Sequence, residues 1–192
     1  MKDLIEIRWH GRGGQGAKTA ALLFADAALS SGKYVQAFPE YGPERMGAPV
    51  TSFNRLSSKP ILRHSGVANP DVVIVLDPTL METVDVMEGM NDDGIVVINT
   101  TKTPNEIRKE FSIMAGIKIF TVDASTISKE AINKDIPNTP MLGALIKATG
   151  ILDFKAMLEE TRIKLESKFK SRPEIVEGNI KAIERAYNEV KS

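Results

Sequence analysis

Leu4-Ile5-Glu6-Ile7-Arg8-Trp9-His10-Gly11-Arg12-Gly13-Gly14-Gln15-Gly16-Ala17 decides the fold. Its first half alternates apolar and polar residues, as a half-buried strand does. Its second half packs four glycines into six residues, Gly11 to Gly16. Glycines let a backbone turn tightly and lie close to whatever sits above it. From Ala17 to Ser31 the chain is alanine-rich and holds nothing that breaks a helix, and a helix is expected from about Gln15 to Ser31. A strand (about Asp3 to His10), a glycine turn and a helix open an α/β domain. The first amides of such a helix face the turn, with the positive end of its dipole behind them.

The pattern repeats downstream. Tyr34 to Phe38 reads as a second strand. Val50 to Leu56 alternates and reads as an antiparallel strand at a sheet edge. Val72 to Leu76, bounded by Asp71 and Asp77, is a continuous apolar run of the kind found in central parallel strands. Gly94 to Asn99 and Ile117 to Asp123 are further strands. Thr79-Leu80-Met81-Glu82 and Thr103-Pro104-Asn105-Glu106 read as capping boxes that start helices. The last third shows only helix signals: Thr139-Pro140 to about Gly150, Asp153 to about Lys168, and one from Pro173 with Val176, Ile180, Ile183, Tyr187 and Val190 on one stripe. The expected fold is a three-layer α/β/α domain with a mainly parallel sheet, an antiparallel edge strand and C-terminal helices. Residues 1–192 are expected to form one domain, with a core over about 1–150 and terminal helices over about 151–192.

Composition excludes several functions. Formal net charge is zero over 192 residues, so no global field collects nucleic acid or an anionic membrane. No apolar run is long enough to cross a bilayer. Met1-Lys2-Asp3 leads straight into a strand without a signal-peptide core, and a cytoplasmic location is expected. Cysteine is absent, which removes thiolate nucleophiles and any iron–sulfur cluster held by this chain's own thiolates. The two histidines, His10 and His64, have no metal-site spacing. Demanding chemistry would have to come from another chain or a cofactor.

Ligands of parallel α/β sheets bind beyond the carboxyl ends of the strands. The glycine loop, the segment Glu40 to Gly47, Asp77, Asn99 and Asp123 all fall at such ends. For the last three, the ordinary reading is caps and turns. His10 also ends a strand, and a structural hydrogen bond is its ordinary reading. Gly11, Gly13 and Gly16 fit G-x-G-x-x-G, which points to a dinucleotide and a stand-alone Rossmann-type oxidoreductase. Against this, the acidic residue expected after the second strand, Glu40, follows a proline and lies late. Arg12 and Gln15 are unusual in a pyrophosphate cradle, although Arg12 suits a phosphate contact. Glu44 and Arg45 form a charged pair on a loop stiffened by Pro43 and glycines. Asn138-Thr139-Pro140 places a helix N-terminus within reach of an anion.

Three blocks together carry a resemblance. Gly11-Arg12-Gly13-Gly14-Gln15-Gly16, then Tyr41-Gly42-Pro43-Glu44-Arg45-Met46-Gly47-Ala48-Pro49, then Asn138-Thr139-Pro140-Met141-Leu142-Gly143-Ala144 resemble the gamma subunits of 2-oxoacid:ferredoxin oxidoreductases. Within that family the chain is most similar to the pyruvate synthase (pyruvate:ferredoxin oxidoreductase) and 2-oxoisovalerate members. The resemblance implies a complex that oxidatively decarboxylates a 2-oxoacid, forms acyl-CoA and CO2, and reduces ferredoxin. It implies alpha, beta and delta (ferredoxin-like) partner subunits. Thiamine diphosphate, Mg and iron–sulfur clusters would lie on those partners, with coenzyme A as substrate. It implies no catalytic residue on this chain, and places Gly11, Arg12, Gly13, Gly14, Gln15, Gly16, Glu44, Arg45, Asn138 and Thr139 near coenzyme A.

Overall fold

A computed structural model describes residues 3–40 and 46–192. Strands β1 (Leu4–Arg12), β2 (Tyr34–Pro39), β3 (Pro49–Ser57), β4 (Val72–Val75), β5 (Ile95–Asn99) and β6 (Lys118–Val122) form one sheet in the order β2-β3-β1-β4-β5-β6. Helices α1 (Ala17–Ser30), α2 (Pro104–Glu110), α3 (Ala124–Ile132), α4 (Asn138–Thr149), α5 (Phe154–Lys168) and α6 (Pro173–Glu189) cover it. The sheet is mainly parallel, as expected, with its antiparallel pairing at one side. The reversed strand is β3. It lies one place in from the edge, between β2 and β1, and its second half is buried. The far edge is closed where Lys191 exchanges backbone hydrogen bonds with Thr121.

Strand alternation divides the core. Ile7, Trp9, Val72, Ile74 and Val97 face α1 and the C-terminal helices. Val73, Val75, Val96, Ile98 and Ile119 face Leu80, Val86, Ile107 and Ile113. Apolar residues on both faces of β4 and β5 require cover on both sides, which makes the fold three-layered.

Two helix expectations change. Thr79–Glu82 does not start a full helix. Asp77 caps a single 3₁₀ turn, Pro78–Glu82, by accepting from the Thr79 amide. Nothing in the sequence marked α3 as a helix. Asp123, whose ordinary reading is a cap or turn, is its N-cap and accepts from the Thr126 amide at 2.9 Å. The Thr103–Glu106 capping box is present, with both reciprocal bonds.

The terminal helices belong to the chain's own core. The stripe Val176, Ile180 and Ile183 of α6 is buried, and Tyr187 stacks on Phe154 at 3.9 Å between ring centroids. Residues 138–146 of α4 are all buried. At Gly143, a Cβ would overlap the Ile183 carbonyl of α6, so only glycine permits this approach.

His10 is buried on β1, and burial pulls its pKa down to about 4, helped by the positive charge of Arg8. Arg8 itself donates to the carbonyls of Val86 at 2.9 Å and Glu88 at 2.7 Å. His10 is therefore neutral in the folded chain until pH falls to about 4. The unfolded chain takes up that proton near 6.5. Stability is lost as pH falls from the unfolded pKa to the folded one. Between pH 7 and pH 4.5, His10→Gln should lose roughly 2 kcal/mol less stability than the wild type in denaturant titrations. Parallel pH profiles of the two chains would contradict the assignment. Gly143→Ala should lower stability by about 2 kcal/mol through overpacking against α6, read as a lower urea midpoint with an unchanged slope.

Candidate functional site

The loop from Gly11 to Gly16 follows from β1 ending where α1 must begin. Gly16 is the N-cap of α1 at φ 84°, a left-handed conformation that disfavours a side chain. A Cβ there would also overlap the side-chain amide of Asn138. The glycine loop and the start of α4, far apart in sequence, are thus in direct contact. Gly13 exchanges backbone bonds with the segment before β3: its amide donates to Ala48 at 2.9 Å, and its carbonyl accepts from Gly47 at 3.1 Å. As N-cap, Gly16 has no side chain to cap the first turn of α1.

A side-chain network fixes the loop's flank. Gln15 Oε1 accepts from the Arg12 amide at 2.7 Å, and Gln15 Nε2 donates to Asp77 Oδ2 at 2.9 Å. Arg12 donates through Nε to Asp77 Oδ2 at 3.1 Å and through its two terminal nitrogens to the Gly47 carbonyl at 3.2 Å and Thr79 Oγ1 at 2.9 Å. Burial opposes ionisation of Asp77. Bonds from Thr79 and Gln15 and the Arg12 charge outweigh it, holding the carboxyl below the ordinary value. Each nitrogen of the Arg12 guanidinium thus bonds a described residue, so Arg12 braces the loop while also lining the first cleft.

Two clefts flank the loop. The first, about 430 Å³, lies between Gly13, Gly14, the first turn of α1, Glu40 and Val50 to Ser52. The second, about 690 Å³, brings Gly14 and Gly16 together with Asn138 and Thr139. It is lined by Lys134, Lys168 and Arg172, cations at the ends of α3, α5 and α6, and by Glu130 and Glu174, the latter paired with Arg172 at 3.5 Å. Nothing in the sequence singled the three cations out, because only packing brings the helix ends together. Asn138 Oδ1 accepts from the Thr139 amide at 2.8 Å, and Thr139 Oγ1 donates to Asn179 Oδ1 at 2.6 Å.

Not every expected residue reaches a cleft. Gly11 lies within β1, where a Cβ would press on Leu76 at 3.1 Å. Gln15 points to Asp77. Glu44 and Arg45, with the rest of Tyr41 to Arg45, lie outside the described residues. Asn99 braces α3 by accepting from the Ser125 amide at 3.1 Å, and Asp123 caps that helix. His10 lines neither cleft. The described residues hold no His/Cys/Asp/Glu group suited to a metal ion. Among them, the clefts are lined by backbone, hydroxyls and both signs of charge: Arg12, Lys18 and Glu40 in the first, Lys134, Lys168, Arg172, Glu130 and Glu174 in the second.

The dinucleotide pattern meets a topological obstacle. In that fold the acid-bearing second strand lies beside the first. Here β3 separates β2 from β1, so Glu40 stands about two strand spacings, roughly 10 Å, from β1.

Comparison with known proteins accords with this geometry. Residues 6–189 match the family described as pyruvate ferredoxin/flavodoxin oxidoreductase. The chain is 48% identical over 190 residues to pyruvate synthase subunit PorC of Thermotoga maritima, covering 99% of this chain and 96% of that one. The crystal structure of pyruvate oxidoreductase subunit PORC from Thermotoga maritima has a TM-score of 0.84 at 46% identity, covering 99% of this chain and 98% of that chain. Identity is also 48%, over 98% of both chains, with the pyruvate/ketoisovalerate oxidoreductases common subunit gamma of Pyrococcus abyssi. A 2-oxoglutarate:ferredoxin oxidoreductase from Magnetococcus marinus, solved with 2-oxoglutarate, coenzyme A and succinyl-CoA, shares the fold at TM-score 0.77 and 21% identity. That match spans 98% of this chain and 31% of the other. With sequence blocks, sheet order and these relatives in agreement, the chain belongs to the pyruvate ferredoxin/flavodoxin oxidoreductase family, as a gamma-type subunit of its 2-oxoacid:ferredoxin oxidoreductases.

Proposed function

We propose that this chain packs on the thiamine-binding subunits of a pyruvate or related 2-oxoacid:ferredoxin oxidoreductase and forms part of the coenzyme A site. The observation that carries this reading is the contact between Gly16 and Asn138, which sets the glycine loop and the start of α4 in one cleft. The amides at the start of α1, where Gly16 offers no capping side chain, together with Lys134, Lys168 and Arg172, suit the phosphates of coenzyme A, which would compete with Glu174 for Arg172. The Magnetococcus enzyme of the same fold holds coenzyme A, which accords with this use.

The chain positions and does not react. Thiamine diphosphate with Mg, on a partner subunit, would supply the carbanion chemistry that no side chain of this sequence offers. Iron–sulfur clusters would also sit on partners, since this sequence has no cysteine to ligate them. The gamma chain's own contribution is to hold the anionic end of coenzyme A, so that its thiol arrives in one orientation. Alpha, beta and delta subunits, with ferredoxin as electron acceptor, complete the assembly in this reading. A cytoplasmic location accords with it. Among the described residues, no helix is long and apolar enough to cross a membrane.

Native purification should recover the chain with a thiamine-containing partner, while the isolated chain should neither bind NAD(P) nor turn over a 2-oxoacid. Nicotinamide binding by the isolated chain would instead support a stand-alone Rossmann-type enzyme. In the assembled complex, Arg45→Ala should raise the coenzyme A KM about tenfold, the effect of losing one charge-assisted contact. An intact complex with unchanged coenzyme A dependence would remove Arg45 from the site.

A further inference from the structure

We propose that Asp77 is a positioning residue for coenzyme A, whose carboxylate holds Arg12 and Gln15 so that the glycine loop is preformed before the ligand arrives. This rests on the coenzyme A reading above.

Asp77 stands just past the carboxyl end of β4, beside the end of β1. This is where the strand order switches. From β1 the chain leaves to one side for β2 and β3, and β4 begins the other side. In open α/β sheets the crevice at such a switch takes the ligand. Asp77 lines neither cleft itself; it stands behind Arg12, which lines the first. Its Oδ2 accepts from Arg12 Nε at 3.1 Å and Gln15 Nε2 at 2.9 Å. Its Oδ1 accepts from the Thr79 amide at 3.0 Å and Thr79 Oγ1 at 2.7 Å. All four partners are donors, so only a group that accepts at both oxygens satisfies them. An amide at this position would turn its own NH2 onto two donors.

The consequences spread through two residues. Gln15, held by Asp77, accepts the Arg12 amide. Arg12, held by the same oxygen, bonds the Gly47 carbonyl. One carboxylate thereby ties β4, the glycine loop and the segment entering β3 into a frame. Gly13 closes that frame with its two backbone bonds to Gly47 and Ala48. A loop already ordered has less conformational freedom to lose when an anion docks on its amides. Asp77 touches no ligand in this scheme. It acts through Arg12 and Gln15.

The test is steady-state kinetics on the assembled complex with coenzyme A as the varied substrate. Asp77→Asn should raise the coenzyme A KM about tenfold, while kcat at saturating coenzyme A and the 2-oxoacid KM stay within about twofold. Adding Gln15→Glu returns a carboxylate to the same network, and should bring the coenzyme A KM back to within about threefold of wild type. Failure of that rescue, or an unchanged KM in Asp77→Asn, would overturn the positioning role. Arg45→Ala separates the two levels. If it shifts the coenzyme A KM and Asp77→Asn does not, only the role of Asp77 falls. If neither variant shifts it, the role of Asp77 falls and Arg45 leaves the site, so the coenzyme A reading loses both residues. Should Asp77→Asn not assemble, Gln15→Leu removes one arm of the frame while keeping Arg12 on Asp77. A rise of about threefold is then expected, and no rise overturns the proposal.

Discussion

Between Gly16 and Asn138 there is no room for a single extra carbon. That close approach sets the glycine loop, the first turn of α1 and the start of α4 in one place. Both helices lie on the same face of the sheet and share its larger core, with Ala17, Ala20, Ala21, Phe24, Met141 and Leu142 buried together. Small residues on α1 permit this closeness, as Gly143 does where α4 meets α6. The cleft beside Gly14, Gly16, Asn138 and Thr139 is a product of the same packing.

The polar groups near the loop sort by what they face. Arg12, Gln15, Asp77 and Thr79 are turned on one another. Asn99, Asp123 and Ser125 hold α3 against the sheet. Arg55, fully buried on β3, bonds Glu6 at 2.7 Å and the carbonyls of Ser65 and Gly66, pinning the crossover from β3 to β4. Breaking such a pair by removing one partner would strand a buried charge, so it fixes the geometry of that crossover firmly. What lines the clefts beside the loop is backbone, Arg12, and the charged residues on the helix ends, Lys134, Lys168 and Arg172 with Glu130 and Glu174.

The third sequence block divides under this view. Asn138 and Thr139 line the cleft, whereas Met141, Leu142 and Ala144 are wholly buried and Gly143 admits α6. The first block divides as well. Gly13, Gly14 and Gly16 shape the clefts, Gly11 serves packing, and Arg12 and Gln15 brace the loop. A motif read as one functional unit is therefore part binding surface and part scaffold.

Apolar alternation and continuous apolar runs were enough to place strands such as β1, β3, β4 and β5, and the stripe of α6, because burial on one or two faces writes itself into local spacing. Capping and Pro/Gly signals marked α2, α4 and α5 for the same local reason. Asp123 was read as a cap or turn, but the short run Ala124–Ile132 that it caps has few apolar residues and was not recognised as α3. Cysteine's absence was decided by the sequence alone. Which strand lies beside which was not: the insertion of β3 between β1 and β2, which sets Glu40 apart from β1, is a long-range pairing that no local pattern encodes. The partners of Arg12 and Gln15 were equally hidden, because Asp77 joins them from more than sixty residues away through the parallel register of β1 and β4.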